Sequence, residues 1–292
     1  ALPEYVQVWS AHGAGSACGK ALGAVHSSTV GYEKIRNWAF QYGNDEQGFV
    51  DYLLADQPEP PKYFAMMKHL NKVNRPLLVE VPKHAKLSKE EFLSAYNKGI
   101  AVIDTRNKFE FAEGFLPGSL NIQGNNSFST WMGWLLNYQQ QFILVADDKT
   151  IVNLTRKLMR IGMDNMLGYV TDVASFGIEL EKSEVINLSK FKSTINNDNY
   201  QIIDVRGLTE FEAGHVEGAE HIFVGTLAEN LNKINKKKQV VIHCQAGDRS
   251  AIAFSLLHKY GFKNVWNYAG GMKEWVACNE ATITERQMAC AI

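Results

Sequence analysis

The stretch VVIHCQAGDRSAIAFSLLHKYG, residues 240–261, decides how this chain is expected to fold. A short apolar run ends at Cys244, four residues separate that cysteine from Arg249, and a helical pattern follows. Ile252, Leu256 and Tyr260 recur on one face of the predicted helix. A buried strand therefore gives way to a helix at Cys244. In parallel sheets, the carboxyl end of a strand is where ligands bind.

The loop after Cys244 has the residue types expected around a reactive thiol. Its backbone N–H groups and the positive end of the following helix would face the sulfur, which favours the nucleophilic thiolate. Gly247 permits a tight turn, and Arg249 is expected to bind an anionic substrate or to brace the loop carbonyls. The alternative is a buried structural cysteine, but the strand–loop–helix context favours catalysis. The predicted substrate-binding loop consists of Gln245, Ala246, Gly247 and Asp248.

An internal repeat organises most of the chain. Residues 101–122 align without gaps with residues 201–222, and residues 142–162 align with residues 240–261. In each copy, short apolar strands alternate with helical segments, which predicts an α/β fold with a parallel sheet flanked by helices. The predicted domains are residues 1–85, an inactive copy at 86–188 and an active copy at 189–292.

The first copy lacks a nucleophile. An offset of 99 residues places Val145 at the position of Cys244 and Thr150 at that of Arg249. Asp147 and Asp148 in this loop suit either a metal or acid–base site or a solvated turn, and the turn is favoured. Asp104 and Arg106 recur as Asp204 and Arg206, even though the first copy has no cysteine, so both pairs are predicted to be structural.

Composition excludes several function classes. The chain has 292 residues, 46% of them hydrophobic, and a net charge of −1, so neither a nucleic acid nor a membrane partner is expected. The four cysteines, including Cys278 and Cys290, show no paired spacing and indicate reduced thiols in a cytoplasmic protein. No initiator Met or signal peptide begins the chain, which predicts a fragment of a longer protein. A homo-oligomer is expected.

The second copy resembles a rhodanese domain, a sulfurtransferase with a single catalytic cysteine. The resemblance rests on IIDVR (202–206), GHVEGAEHI (214–222), HCQAGDRS (243–250) and NVWNYAGGMKEW (264–275). It implies a cofactor-free ping-pong reaction in which Cys244 takes sulfur from a persulfide or thiosulfate and passes it to an acceptor such as sulfite. Related phosphatases have five residues between Cys and Arg; the four residues here favour sulfur over phosphate. Asp248 would repel thiosulfate and so favours a less charged persulfide donor.

The N-terminal piece resembles the last third of a metallo-β-lactamase-fold (αββα) domain, on HGAGSACG (12–19), STVGYEK (28–34) and RNWAF (36–40). More closely, it is similar to persulfide dioxygenases fused to two rhodanese domains. The resemblance implies iron, or zinc, in the complete domain. It places His12 where dinuclear members of the fold bind a second metal. The HxHxDH signature of the fold is absent. Cys18 is either a thiol relay in the same pocket or a small packed residue.

Three functions remain open from the sequence. The favoured one is sulfur transfer through Cys244 coupled to persulfide oxidation, which yields thiosulfate and removes sulfide. The others are a stand-alone thiosulfate sulfurtransferase, and a metallo-β-lactamase-fold hydrolase whose rhodanese domains serve as docking modules. Two helices are also predicted on either side of a proline-rich break at residues 58–61. The apolar face of the second, which includes Phe64 and Met67, is expected to pack against a lactamase-type core or a neighbouring subunit.

Overall fold

The computed structural model describes residues 2–10, 15–16, 21–22, 26–55, 60–75 and 77–284. The chain divides into two compact units, Ala1–Pro58 and Glu59–Ile292. Both copies of the repeat lie in the second unit. Within the described ranges, no helix is long and apolar enough to cross a membrane.

In its described residues, the first unit has two antiparallel strand pairs and three helices. β1 (Gln7–Trp9) pairs with β4 (Ser27–Thr29), and β2 (Gly15–Ser16) pairs with β3 (Ala21–Leu22). The helices that follow are α1 (Val30–Arg36), α2 (Trp38–Gln41) and α3 (Glu46–Leu54). The side chain of Thr29 accepts a hydrogen bond from the Tyr32 amide at 3.2 Å and caps α1.

Helix α4 (Tyr63–Leu70) belongs to the second unit and packs against the repeat. Tyr63 and Met67 contact the hydrophobic core of that unit. A Cβ placed on Gly133 would lie 2.4 Å from Cδ1 of the Tyr63 ring, so the glycine makes room for the ring. The prediction that Met67 faces a lactamase-type core or a neighbouring subunit is wrong, because Met67 packs on the hydrophobic core of the second unit. Phe64 is exposed.

The first copy is built around a four-stranded parallel sheet in the order β6–β5–β7–β8. Every residue of its two central strands, β5 and β7, is buried, as expected for a sheet covered on both faces. In chain order the elements are α5 (Lys89–Asn97), β5 (Ala101–Asp104), α6 (Lys108–Glu113), β6 (Leu120–Asn121), α7 (Phe128–Leu135), β7 (Phe142–Val145), α8 (Ile151–Met159) and β8 (Met166–Val170).

The second copy has a five-stranded parallel sheet in the order β11–β10–β12–β13–β9, with β12 in the middle. In chain order the elements are β9 (Glu184–Ile186), α9 (Leu188–Lys192), β10 (Tyr200–Asp204), α10 (Leu208–Ala213), β11 (Ala219–His221), β12 (Gln239–His243), α11 (Asp248–Lys259), β13 (Val265–Tyr268) and α12 (Gly271–Ala277). The predicted α/β class, with tandem parallel sheets flanked by helices, is confirmed.

The Asp–Arg pairs occupy equivalent positions in both copies. Arg206 donates from Nε to both carboxylate oxygens of Asp204, at 3.0 and 2.9 Å, and from Nη2 to the carbonyl of Gly214 at 2.7 Å. Arg106 makes the same contacts with Asp104 and Gly114. Each pair ties the end of a central strand to the helix that follows, which confirms the predicted structural role.

The two copies share one hydrophobic core. The ring of Phe115 in the first copy meets Phe254 of α11 edge-on, with centroids 5.8 Å apart. The amide of Asn121 donates to the hydroxyl of Ser255 at 3.0 Å. Helix α11, which begins just after Cys244, is therefore held by both copies. This arrangement brings first-copy residues to the loop that contains the cysteine.

Candidate active site

Cys244 lies directly after β12, at the carboxyl end of the middle strand of the second sheet. The preceding residue, His243, pairs with Asp204 of β10 on one side and with Tyr268 of β13 on the other. The carbonyl of Cys244 accepts a hydrogen bond from the amide of Met272 at 2.9 Å. The backbone at the cysteine is therefore held on several sides, so the sulfur has a defined position.

Two groups, one in the loop and one in the first turn of α11, contact the sulfur. The amide of Gly247 donates to Cys244 Sγ at 3.1 Å, and the hydroxyl of Ser250 lies 3.7 Å from the same atom. Ser250 also donates to the carbonyl of Gly247 at 3.1 Å, which fixes the turn. Gly247 has φ +89°, as the predicted tight turn requires. Ser250 is not among the site residues predicted from the sequence, although it lies in the first turn of the helix that follows Cys244.

Arg249 is engaged by a carboxylate of the same copy. Its guanidinium bonds to both oxygens of Glu210, from Nη2 to Oε1 at 2.8 Å and from Nη1 to Oε2. Burial acts to lower the pKa of Arg249, but the hydrogen bond to Glu210 and the charge at Cys244 hold it above its ordinary value. Burial acts to raise the pKa of Glu210, but the hydrogen bond and charge of Arg249 hold that pKa below its ordinary value. Arg249 therefore braces α10 and remains a cation. Glu210 was not predicted as its partner, because it lies 39 residues away in the chain.

Asp248 contacts the first copy. Its Oδ1 accepts a hydrogen bond from Lys108 Nζ at 2.8 Å, and its Oδ2 accepts one from Asn125 Nδ2 at 3.2 Å. Lys108 Nζ also donates to the carbonyl of Ala246. The copy without a nucleophile thus holds two residues of the predicted substrate-binding loop.

The sulfur borders a cavity of about 390 Å³ between the copies. Cys244 is only 1% exposed and is one of the residues that line this cavity. A second cavity, of about 350 Å³, lies beside the loop that follows β7 in the first copy. Gln123 and Asn125 line both cavities. The residues lining the first cavity are Gln123, Asn125, Ser127, Trp131, Cys244, Gln245, Ala246, Asp248, Arg249 and Ile252.

The strand register corrects the predicted match between the copies. Asp104 pairs with Val145, and the equivalent Asp204 pairs with His243. Val145 therefore corresponds to His243, and Ala146 stands at the position of Cys244. The offset of 99 was wrong here because the segments after the two strands differ in length. The conclusion that the first copy lacks a nucleophile is unaffected.

The aspartates of the first-copy loop are part of a surface turn. Asp148 accepts hydrogen bonds from Lys86 Nζ and from the hydroxyl of Tyr169, both at 2.9 Å, and these bonds lower the pKa of Asp148. Asp147 lines the second cavity. Across the described ranges, no group of three or more His, Cys, Asp or Glu side chains is placed to hold a metal ion.

Some predicted site residues cannot be placed. His12 and Cys18 lie outside the described residues, as does Cys290. Cys278 is exposed after α12 and does not line the cavity at Cys244. The described part of the chain therefore brings together the loop residues predicted around Cys244 and leaves the predicted metal ligand unplaced.

Comparison with protein families gives a match in both copies. The profile of the Rhodanese-like domain matches residues 88–174 and 187–278. "Putative sulfur carrier protein YrkF" of Bacillus subtilis is 35% identical over 96 residues, which cover 32% of this chain and 52% of that protein. "Putative thiosulfate sulfurtransferase, mitochondrial" of Schizosaccharomyces pombe is 32% identical over 123 residues, 36% of this chain and 80% of that protein.

Other similar proteins match larger parts of the chain. "tRNA uridine(34) hydroxylase" of Escherichia fergusonii is 28% identical over 148 residues, 48% of this chain and 41% of that protein. The solved structure of a metallo-beta-lactamase from Staphylococcus aureus is 38% identical, covers 59% of this chain and 47% of that chain, and has a TM-score of 0.46. The chain spans about half the length of the Bacillus sulfur carrier relative.

Proposed function

The chain belongs to the rhodanese-like domain family, and on that premise we propose that it moves sulfane sulfur through a persulfide on Cys244. The family and the thiosulfate sulfurtransferase relative support a sulfurtransferase-type enzyme. The observation that carries the proposal is the hydrogen bond of 3.1 Å from the Gly247 amide to Cys244 Sγ, beside a cavity of about 390 Å³. Helix α11 begins at Asp248, the residue after Gly247, and its N-terminus adds a positive partial charge.

The proposed reaction has two steps. The thiolate of Cys244 attacks the outer sulfur of a persulfide R–S–SH; a sulfur–sulfur bond forms at Cys244, and the thiolate R–S⁻ leaves. Sulfite then attacks the terminal sulfur of the Cys244 persulfide. Thiosulfate forms, and Cys244 leaves as a thiolate. Each step exchanges one sulfur–sulfur bond for another bond to the same sulfur atom, so no external oxidant or reductant is consumed.

The persulfide itself is the direct test. We expect protein treated with a low-molecular-weight persulfide, and then freed of it, to gain the mass of one sulfur atom on the peptide that contains Cys244. Subsequent addition of sulfite should remove that mass. Cys278, which is exposed, serves as the internal comparison. Absence of the added sulfur, or equal labelling of both cysteines, would contradict the proposal.

The finer proposal is coupling to a persulfide dioxygenase of metallo-β-lactamase fold, which would supply sulfite to the Cys244 persulfide. Its support is the resemblance carried by residues 12–40, and fusion would raise the local concentration of the shared intermediate. The described residues do not fit an iron site, so no step is assigned to a metal. Protein made from the complete reading frame should contain iron and consume oxygen when given a persulfide. Iron-free protein that consumes no oxygen would refute the coupling.

The hydroxylase relatives suggest a second candidate, modification of a tRNA uridine. The net charge of −1 gives the chain no general attraction for RNA, and the chain covers less than half of that relative. Binding of unmodified tRNA with no sulfur loading of Cys244 would favour the tRNA role over sulfur transfer.

The docking role left open by the sequence applies best to the first copy, where Ala146 stands at the position of the cysteine.

A further inference from the structure

We infer that Lys108, in the copy without a nucleophile, determines which sulfur donors react at Cys244, because it cancels the charge of Asp248. The inference rests on the proposed function of Cys244. Asp248 lines the cavity at Cys244, and its side chain is 47% exposed. The side chain of Lys108 is 17% exposed and reaches that carboxylate at 2.8 Å from a different copy of the repeat.

The position of Lys108 depends on the same glycine that contacts the sulfur. A Cβ placed on Gly247 would lie 3.0 Å from Lys108 Nζ and 2.5 Å from the carbonyl oxygen of Ala269. Lys108 also donates to the carbonyl of Ala246, and Asn125 donates to the second oxygen of Asp248. The ammonium group therefore occupies a defined place against the loop, next to the residue whose amide bonds to Cys244 Sγ.

The charges around the cavity then cancel in pairs. Arg249 is balanced by Glu210, and Asp248 is balanced by Lys108. Apart from the thiolate of Cys244, the sulfur donor consequently meets a loop whose charges are paired, and Asp248 does not repel thiosulfate while Lys108 is in place. Removing Lys108 leaves an exposed carboxylate at the cavity, which repels a reactant in proportion to its negative charge. Thiosulfate carries two charges and a singly charged persulfide one, so thiosulfate should lose more.

Lys108 could instead act only as a mechanical link between the copies. The two roles differ in what they predict for reactants of equal shape and unequal charge. A loosened loop changes the access of neutral and anionic reagents alike, whereas an uncancelled carboxylate slows the anion selectively. Iodoacetate and iodoacetamide form such a pair, and both alkylate cysteine without any need for sulfur transfer.

The test measures how fast each reagent alkylates Cys244, by mass spectrometry of its peptide, at low ionic strength, where screening is weak. In Lys108→Ala, we expect the iodoacetate-to-iodoacetamide rate ratio at Cys244 to fall about three- to tenfold. In Lys108→Ala/Asp248→Asn, the ratio should return to near that of the parent. Lys86→Ala removes an equal charge and breaks the Lys86–Asp148 pair outside the cavity, so it should leave the ratio unchanged.

The outcomes separate this inference from the proposed function. If Lys108→Ala changes the alkylation rates of iodoacetate and iodoacetamide by the same factor, so that their ratio is unchanged, the charge role of Lys108 is overturned. A lowered ratio that the Asp248→Asn change does not restore overturns it as well, because the carboxylate is then not the cause. Sulfur loading is scored separately. Parent protein that takes no sulfur from persulfide or thiosulfate refutes the proposed function, while the alkylation ratio still decides the role of Lys108.

Discussion

Replacement of Cys244 by serine is expected to abolish thiosulfate formation from a persulfide and sulfite, with a loss of about a thousandfold or more. Serine has nearly the same shape and can keep the hydrogen bond from the Gly247 amide. Its hydroxyl is not ionised near neutral pH and cannot carry sulfane sulfur through two exchange steps. The loss therefore reports the chemistry of the sulfur atom rather than a change in packing.

The measurement is the rate of thiosulfate appearance, after subtraction of the reaction without protein. Cys278→Ser is the matched control, since it removes a thiol that is exposed and does not line the cavity. We expect it to behave as the parent. If Cys244→Ser formed thiosulfate as fast as the parent, the carrier role of Cys244 would be refuted. That conclusion would hold even if Cys244 of the parent gained the mass of a sulfur atom.

The parts of the site that the sequence predicted are local ones. The apolar run before Cys244 forms β12 because its side chains are buried on both faces of a parallel sheet. Gly247 takes the left-handed conformation that the short loop requires. The repeated Asp–Arg pairs keep their geometry because each arginine bonds to an aspartate two residues before it in the chain. Neighbours in sequence thus define these features.

The parts that the sequence did not predict depend on distant segments. Lys108 lies 140 residues before Asp248, and its contact exists only because the two copies share a core. Asn125 reaches the same carboxylate from the loop before α7. The alignment of Val145 with Cys244 also failed, since the strand ends match at an offset of 98 (243 − 145) and the helix-ending glycines at 99 (261 − 162). The order of residues along the chain does not show which distant side chains meet in the folded protein.

The second large effect is expected at the buried pair beneath the active-site loop. Arg206→Met should lower the free energy of unfolding by about 3–5 kcal/mol, because it leaves the carboxylate of Asp204 buried without its cation. The Asp204 side chain is 0% exposed and that of Arg206 5% exposed. Methionine fills a similar volume, so a cavity contributes little to the loss. Urea denaturation followed by circular dichroism measures the change.

The first copy supplies the matched control for this measurement. Arg106→Met breaks a pair with the same geometry, but the Arg106 side chain is 29% exposed, so water can partly solvate Asp104 after the change. A smaller loss is expected there. Equal losses of stability in the two variants would show that burial does not determine the size of the loss. An Arg206→Met protein as stable as the parent would show that the Asp204–Arg206 pair does not stabilise this domain.

The same pair makes stability depend on pH. Burial acts to raise the pKa of Asp204, but His243 and Arg206 hold it below 3.8, while burial lowers the pKa of His243 below 6.5. Both groups bind protons more readily in the unfolded chain, so stability rises with pH. The contribution of His243 is complete above about pH 6.5 and that of Asp204 above about pH 3.8. Each begins to be lost below that value and is lost fully once the pH has fallen through the lower pKa of the folded protein.

The Arg206→Met variant should depart from this pattern in a defined direction. Without the arginine, the pKa of Asp204 rises toward the value that burial favours, and a proton then neutralises the stranded carboxylate. The stability difference between parent and variant should therefore be largest near neutral pH and should narrow as the pH falls below about 5. Urea titrations of both proteins across that range check this. A difference that stays constant with pH would mean that the loss comes from packing and not from the unpaired charge.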